Sequence, residues 1–501
     1  MAIAGIDIGT TGCKCTVYDQ KGQLLSEVYK EYCSAPSNKH LLDASLIWQY
    51  TKSVLQEAAK QANELLDAIG VTSFGEAAIW LDQQMVPMAP SMLYAAPYGK
   101  EQCDRLIRHF GRQYLNQSTG LAPTPMYSLP KLMYFAEHNP ELVKEARAIC
   151  LFADFIVYML SGVRQIDYSL ASRTMALDIN SLEWNHEILT FAGIEPNLFP
   201  VPVPIGSIAG KILSSLAEEL GIHPEAMIVS GCHDQIAAAI GTGAYQPGMA
   251  VDGTGTVECI TPVLGQEIVK ESLYKGGYAI VPFLNSRYVT YAYSLTGGAL
   301  LKWYRDNLAY CEANEARKQG DNPYEVFNSE VDASKPSGLL VLPHFSGAGT
   351  PYTDPESRGA IFGLTTETTS REIYQALMEG VTFEMALNLE RLSEAGIEIH
   401  TLLATGGGAL SHIWLQMKAD ILNRPIVSLG AAQSGTLGCI MLAGVACGIY
   451  SSLEDAESVY VKVRHTYTPD SGKHEHYNKW YNKYKKCYEA VKSVMTVDQE
   501  V

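Results

Sequence analysis

Two aspartates stand where a strand gives way to a turn or a helix. Asp234 sits in Gly231-Cys232-His233-Asp234-Gln235, after the apolar run Met227 to Ser230 and before a helical run, Gln235 to Ile240. The spacing predicts a strand, a Gly-Cys-His turn and a helix, and a carboxylate at such a junction lies where active sites of α/β sheets gather. It can serve as a general base on a hydroxyl, or simply cap the helix. His233 reads as a structural or substrate-shell neighbour of that group. Asp7 interrupts the apolar run Ala2 to Ile8 just before Gly9-Thr10-Thr11. That placement suits a Mg²⁺ held through water beside phosphates, and equally a turn-stabilising aspartate. Four turns rich in glycine and hydroxyls accompany the aspartates: Gly9-Thr10-Thr11, Gly253-Thr254-Gly255-Thr256, Thr296-Gly297-Gly298 and Thr405-Gly406-Gly407-Gly408. Each can aim successive N–H groups at one point and so cradle a phosphate. The last leads into a helical pattern over 411–422, whose positive end would face an anion. Neither GxxxxGK[ST] nor a helix-opening GxGxxG occurs, so any nucleotide is held by another scheme.

The elements that must position these residues begin with a hairpin. Ala2 to Ile8 and Cys13 to Tyr18 flank the first glycine turn, and Asp19-Gln20-Lys21-Gly22 turns the chain again. Cys13-x-Cys15 reads as alternating strand positions. Leu46, Ile47, Tyr50, Val54, Leu55, Ala58, Ala62 and Leu65 fall at helical spacing across 45–68, and 69–81 returns to strand character. Strands mixed with amphipathic helices predict an α/β sheet covered by helices. The grammar then repeats: Ile6-Asp7-Ile8-Gly9-Thr10-Thr11 is echoed by Val251-Asp252-Gly253-Thr254-Gly255-Thr256. With the linker-like Tyr245-Gln246-Pro247-Gly248, this places a boundary near residue 247 and predicts two α/β domains, 1–247 and 248–501, each with one such hairpin.

Composition narrows the partners. The 501 residues carry 37 Lys plus Arg against 54 Asp plus Glu, a net charge of −17, which repels phosphate backbones and anionic membrane surfaces. Nucleic acid and membrane are therefore not expected as partners. No run approaches the ~20 apolar residues of a bilayer span, and MAIAGIDIGTTG lacks the order of a signal peptide, so a cytoplasmic protein is expected. Eleven cysteines, an odd number without a CxxC, support neither a disulfide framework nor a zinc site. His474-x-His476 is expected in a tail loop. Tyr477, Trp480, Tyr481, Tyr484 and Tyr488 share one helical face, which predicts a docked terminal helix with lysines on its solvated side.

With these strings in order, the chain resembles the FGGY family of carbohydrate kinases, which includes glycerol kinase and xylulokinase. GIDIGTTGCKCTVYD resembles the family's opening phosphate hairpin, GCHDQIAAAIGTGA its catalytic segment, and VDGTGTVE its second phosphate turn. LTGGALLKWYRD, with Lys302, and ATGGGALSHIWLQMKADILNRPI resemble its nucleotide-binding segments. GAIFGLTTETTSREIYQALMEG fits the C-terminal signature, and MYSLPKLMYFAEH the N-terminal one, except that Tyr134 stands where tryptophan is usual.

The resemblance implies two actin-like (ribonuclease H-like) α/β domains flanking a deep cleft, the first for sugar and catalytic base, the second for ATP. It implies ATP and Mg²⁺ as cofactors, with transfer of the γ-phosphoryl to a hydroxyl of a sugar or polyol. Asp234 matches the general base, and Asp7, with Asp234 beside it, the metal site. Gly9 belongs to the first hairpin; Thr10, Thr11 and Thr254 match phosphate-facing hydroxyls. Lys14 lies where glycerol kinases have a phosphate-contacting arginine. Gly255, Gly298, Gly407 and Gly408 match backbone that approaches ATP, while Ala409 and Ser411 fall by the adenosine. Residues 71–82 would supply sugar contacts. There Glu76 aligns with a polyol-binding glutamate, but Gly75 replaces the arginine of glycerol kinases and Met126 stands where they have a substrate tyrosine. The Met-His pair of xylulokinases is absent. The lost arginine predicts extra volume and a substrate bulkier than glycerol; the expected acceptor is a ketose, with Glu76, Gly75, Trp80, Tyr94, Asp234 and Gln235 about it. Trp80 and Tyr94 belong either to that pocket or to the core. Glycerol or another polyol is the alternative acceptor. An actin- or Hsp70-like ATPase leaves Asp234 unexplained, and an inactive sugar-binding regulator leaves Asp7, Thr10, Asp234 and the triple glycine unexplained. A homodimer is a family-level expectation.

Overall fold

The computed structural model describes residues 2–32, 40–265, 270–430 and 433–495. These divide into two compact units that do not follow chain order. One is formed by the described residues within Met1–Gly243, Ala279–Val289 and Gln433–Val461, the other by those within Ala244–Tyr278, Thr290–Ala432 and Lys462–Val501. Most residues before 247 fall in the first, but 279–289 and 433–461 join them there.

In the first unit the strands lie in the order Ile208–Lys211, Met227–His233, Leu66–Ser73, Ala2–Ile8, Gly12–Asp19, Leu24–Glu31. The middle three are parallel, and each flank is antiparallel. Ala2–Ile8 is apolar on both faces except at Asp7 because helices cover a parallel centre on both sides. The helix over 45–68 ends earlier than its pattern suggests. It spans Ala44–Ala62, capped by Asp43 and closed by Asn63 at φ 51, which leaves Leu65 exposed before a strand at Leu66–Ser73.

The helix Ser434–Ala446 lies flat on this sheet because three strands present glycine to it. A Cβ at Gly5 would strike Thr436 O, one at Gly70 would lie 2.5 Å from Cys439 O, and one at Gly231 would lie 3.1 Å from Cys439 Sγ. The same helix crosses Asp234–Thr242 backbone to backbone. A Cβ on Gly241 would collide with Ser434 O, and one on Gly438 with Ala237 O.

The second unit repeats the pattern of pairings. Its strands run Val463–Tyr467, Ile426–Leu429, Thr401–Thr405, Met249–Thr254, Glu258–Leu264, Ala292–Ser294, again antiparallel, parallel, parallel, antiparallel, antiparallel. The echo between the two Asp-containing hairpins is thus an echo of whole sheets. Ser471–Tyr484 is the expected terminal helix, with Tyr477 and Tyr484 buried and Tyr484 bonded to Glu384. His474 lies on that helix rather than in a loop, its Nδ1 3.0 Å from Asp420 O. Cys13 and Cys15 are buried on a strand, and there is no disulfide among the described cysteines. No helix among the described residues is long and apolar enough to cross a membrane.

Candidate active site

Asp234 does not cap its helix. The strand runs through the expected Gly-Cys-His turn to His233, with a shift of register between Ser230 and His233, and Asp234 is the first residue of the helix Asp234–Thr242. Such a shift re-aims the side chains beyond it. The strand's end is pinned from a neighbouring helix: His233 N–H donates to Ser169 Oγ at 2.9 Å, and Asp167 caps Tyr168–Ser172 by accepting from Ser169 and Leu170. Asp234 keeps about a third of its side chain open to solvent (31%), while His233, Nε2 3.2 Å from Asp234 Oδ1, is buried. Burial and the Arg173 charge hold His233 well below the usual imidazole range, hence neutral. The helix end favours an ionised Asp234, but burial and the charges of Asp7 and Glu76 outweigh it and push the carboxyl up to about 8.

Glu76 is held in an unusual backbone state at φ 68, its carbonyl accepting from Ser128 Oγ at 2.7 Å. Its side chain is buried against Arg173, whose Nε lies 2.6 Å from Oε1 and whose Nη2 also pairs with that oxygen. The volume expected beside Gly75 is filled: a Cβ there would lie 3.0 Å from Arg173 Cγ and 3.4 Å from His233 Cδ2. Arg173 went unnoticed in the sequence because nothing local marks it. Tyr94 is exposed, and its hydroxyl is raised by burial and by the charges of Glu76 and Asp234, which places it in the same field. Trp80 is core: it is 4% exposed and stacked on Phe135 at 5.4 Å. Gln235 follows Asp234 and is half-buried. Met126 gives its carbonyl to the buried Lys131, which also holds Pro125 O; burial draws the Lys131 ammonium down to about 8.

Asp7 is pushed up to about 6 by burial, with Lys14 opposing. No hydrogen bond from a described residue reaches its carboxylate, and the backbone of Gly435, at the start of Ser434–Ala446, lies against it: a Cβ there would be 3.2 Å from Asp7 Oδ2. A nearly buried carboxylate short of donors fits a cation ligand. No group of three or more His, Cys, Asp or Glu among the described residues could hold a metal by itself, so the fit is to Mg²⁺, which keeps waters and takes phosphate oxygens as ligands. Lys14 bonds to Gln433, a contact the sequence did not suggest. Gly9 gives its N–H to Gly12 O at 2.9 Å, so the tip offers Thr10 and an exposed Thr11 instead.

In the second unit three of the glycine turns converge. A Cβ at Gly408 would lie 2.5 Å from Thr254 Cγ2, and one at Gly298 2.7 Å from Gly255 O. The Gly298 N–H is already given to Gly255 O at 2.8 Å. Gly255 and Gly407 are exposed, and nothing lies within 4 Å of a Cβ at Gly407. Gly407–Leu410 forms a 3₁₀ turn containing Ala409, and Ser411 caps His412–Leu422 by accepting from Trp414 N–H. Lys302 is exposed on Gly298–Asn307. Thr254 departs from expectation. Its side chain is buried and accepts from Lys418 Nζ at 2.7 Å, so it faces the core and not a ligand.

Residues 2–241 match the FGGY family of carbohydrate kinases, N-terminal domain, and residues 270–447 its C-terminal domain. The chain belongs to the FGGY family of carbohydrate kinases. It is a phosphotransferase with a sugar or polyol hydroxyl as acceptor, and ATP is the donor expected of the family. Among similar proteins, the xylulose kinase of Bacillus subtilis (strain 168) is 28% identical over 503 residues, covering 99% of this chain and 98% of that one. The glycerol kinase of Bordetella parapertussis is 28% identical over 474 residues, covering 90% of each. The gluconate kinase structure from Lactobacillus acidophilus covers 98% of each chain at TM-score 0.88 and 24% identity, which shows the same ribonuclease H-like two-domain fold.

Proposed function

We propose that this kinase phosphorylates a ketose or a related polyol, with Asp234 as the general base, Asp7 as the Mg²⁺ ligand, and Glu76 and Tyr94 among the acceptor contacts. The observation that carries the reading is Asp234 itself: a partly open carboxylate on the first turn of a helix, in the field of Asp7 and Glu76. Relatives at equal identity act on different acceptors by name, so similarity leaves the acceptor to the residues.

Phosphoryl transfer passes through a loose transition state in which positioning and electrostatics supply most of the acceleration. Asp234 would accept a hydrogen bond from the acceptor hydroxyl, orient it in line, and take its proton late. His233, kept neutral, limits the directions Asp234 can take. Lys14 and the hydroxyls of Thr10 and Thr11 would meet phosphate oxygens. Mg²⁺, when bound through Asp7 and phosphate, supplies positive charge for the transferring group.

The test is Asp234→Ala assayed by coupled ADP release against ketopentoses, ketohexoses, tetritols and glycerol. Turnover should fall by about 10³-fold while acceptor binding stays within about tenfold, because the base acts mainly in the transition state. Wild-type turnover in that variant would remove the assignment.

A further inference from the structure

Arg173 comes from outside every segment that resembles the family's sugar contacts, yet it occupies the place beside Gly75. Its Cβ and Cγ would sit 3.2 and 3.0 Å from a side chain at residue 75, so the glycine is what admits it. Its guanidinium is 5.0 Å over the Tyr127 ring and 7% exposed, and it meets Glu76 through two nitrogens on one oxygen. Both of these contacts fall on Glu76 Oε1. The left-handed backbone at Glu76, fixed by Ser128, shows how tightly the surroundings determine this carboxylate.

We infer that Arg173 is a specificity-determining residue: together with Glu76 it takes an uncharged polyhydroxy acceptor and turns away sugar acids. The inference rests on the reading that the acceptor meets Asp234. The positive charge of Arg173 is paired with Glu76, and the charges of Asp7 and Glu76 each act on Asp234 more strongly than that of Arg173. Lys131, the other cation acting near Glu76, is spent on the carbonyls of Pro125 and Met126 at 2.5 and 2.6 Å. A carboxylate entering here would add to this acidic field, with the nearby guanidinium already paired to Glu76 and the Lys131 donors held by two carbonyls. Hydroxyls suit it better, since they can donate to a carboxylate and accept from a guanidinium.

The experiment compares ketoses and polyols with aldonates of equal length. Wild-type kcat/KM should favour the uncharged acceptors by about 100-fold or more. The double variant Glu76→Gln, Arg173→Gln, which buries no lone charge, should raise the acceptor KM at least about tenfold, leave KM for ATP near its starting value, and narrow that gap. Arg173→Lys keeps the charge without the fork and should recover only part of the KM; it carries the same test if the double variant does not fold. Calorimetric binding to Asp234→Asn should show uncharged acceptors bound and aldonates not. An aldonate as the preferred ligand, or a wild-type KM in both variants, would overturn the inference. No turnover with any acceptor would remove the ketose reading instead, and the calorimetry would still decide between the two acceptor classes.

Discussion

Lys418 Nζ lies 2.6 Å from Asp252 Oδ2, with both side chains at most 1% exposed. Asp252 occupies in the second hairpin the place Asp7 occupies in the first, but among the described residues only Asp252 is paired with a buried lysine. Lys418 also reaches Thr254 Oγ1 at 2.7 Å and Glu258 Oε1 at 3.0 Å. Burial would lower its ammonium, but Asp252 and Glu258 outweigh that and hold it above the usual lysine range; burial raises Glu258. The carboxylate of Asp252 is hydrogen-bonded in the core, and that of Asp7 is donor-poor, as the proposed role of cation ligand requires.

Asp7→Asn and Asp252→Asn should therefore fail differently. Asp7→Asn is expected to cost turnover with little loss of melting temperature. Asp252→Asn should lose stability, and Lys418→Met, which strands two buried carboxyls, about 3–5 kcal/mol, seen as a drop in Tm on the order of 10 °C. Differential scanning calorimetry beside ADP-release assays separates the two; equal loss of Tm in both aspartate variants would contradict the division.

The raised carboxyl of Asp234 makes a prediction with a definite sign. Its folded value, about 8, lies above the ordinary 3.8, so the folded state holds a proton that the unfolded chain has released. That contribution to stability is complete below about pH 4 and lost as pH rises through about 8; Asp7, at about 6, acts in the same direction over a narrower window. Tm of the ligand-free protein should fall across this range, and Asp234→Asn should gain about 2 °C or more over wild type at pH 9 relative to pH 5. Because a base must be ionised, kcat/KM for the acceptor should climb through the same pH, and Asp7→Asn should move the climb of its residual activity downward. A flat Tm difference between pH 5 and 9 would refute the assignment.

The sequence disclosed the sheets and hairpins through their periodicity and the Asp-Gly-Thr echo, because those signals are local. It also put Asp7 near the end of a strand and Asp234 at a strand-to-helix junction, though it read Gly231 to His233, the strand's last residues, as a turn. Arg173, Lys418 and Gln433 were invisible for one reason: each meets its partner across a long loop of chain, 97, 166 and 419 residues away. Thr254 was misread because a hydroxyl in a glycine turn looks the same whether it faces a ligand or a buried lysine. Trp80 was left open between pocket and core, which depends on Phe135. The helix end at Ala62 was missed because Leu65 happened to continue the spacing of the buried face.

Gly241 and Gly438 form a reciprocal crossing between the helix that carries Asp234 and the helix whose start touches Asp7. Alanine elsewhere in a helix is worth about 1 kcal/mol over glycine. Here the added methyl meets backbone oxygen, so Gly241→Ala and Gly438→Ala should each destabilise by about 1–3 kcal/mol. Moving either helix should also lower kcat by more than it raises KM for ATP. A Tm rise in either variant would show that the crossing has slack.

Metal removal supplies the last prediction. One carboxylate without phosphate is a weak Mg²⁺ site, so Mg²⁺ alone should leave Tm nearly unchanged. With ATP at about 100 times its dissociation constant, binding to the folded state alone stabilises by about 2.7 kcal/mol, and EDTA should remove most of that gain by weakening nucleotide affinity. In Asp7→Asn the ATP-dependent rise should be nearly the same with and without EDTA, because the carboxylate that reads the metal is gone while Lys14 and the glycine turns remain. An EDTA effect as large in Asp7→Asn as in wild type would place the metal on other ligands. The role of Asp7 would then reduce to setting the charge felt by Asp234, which the pH profile measures independently.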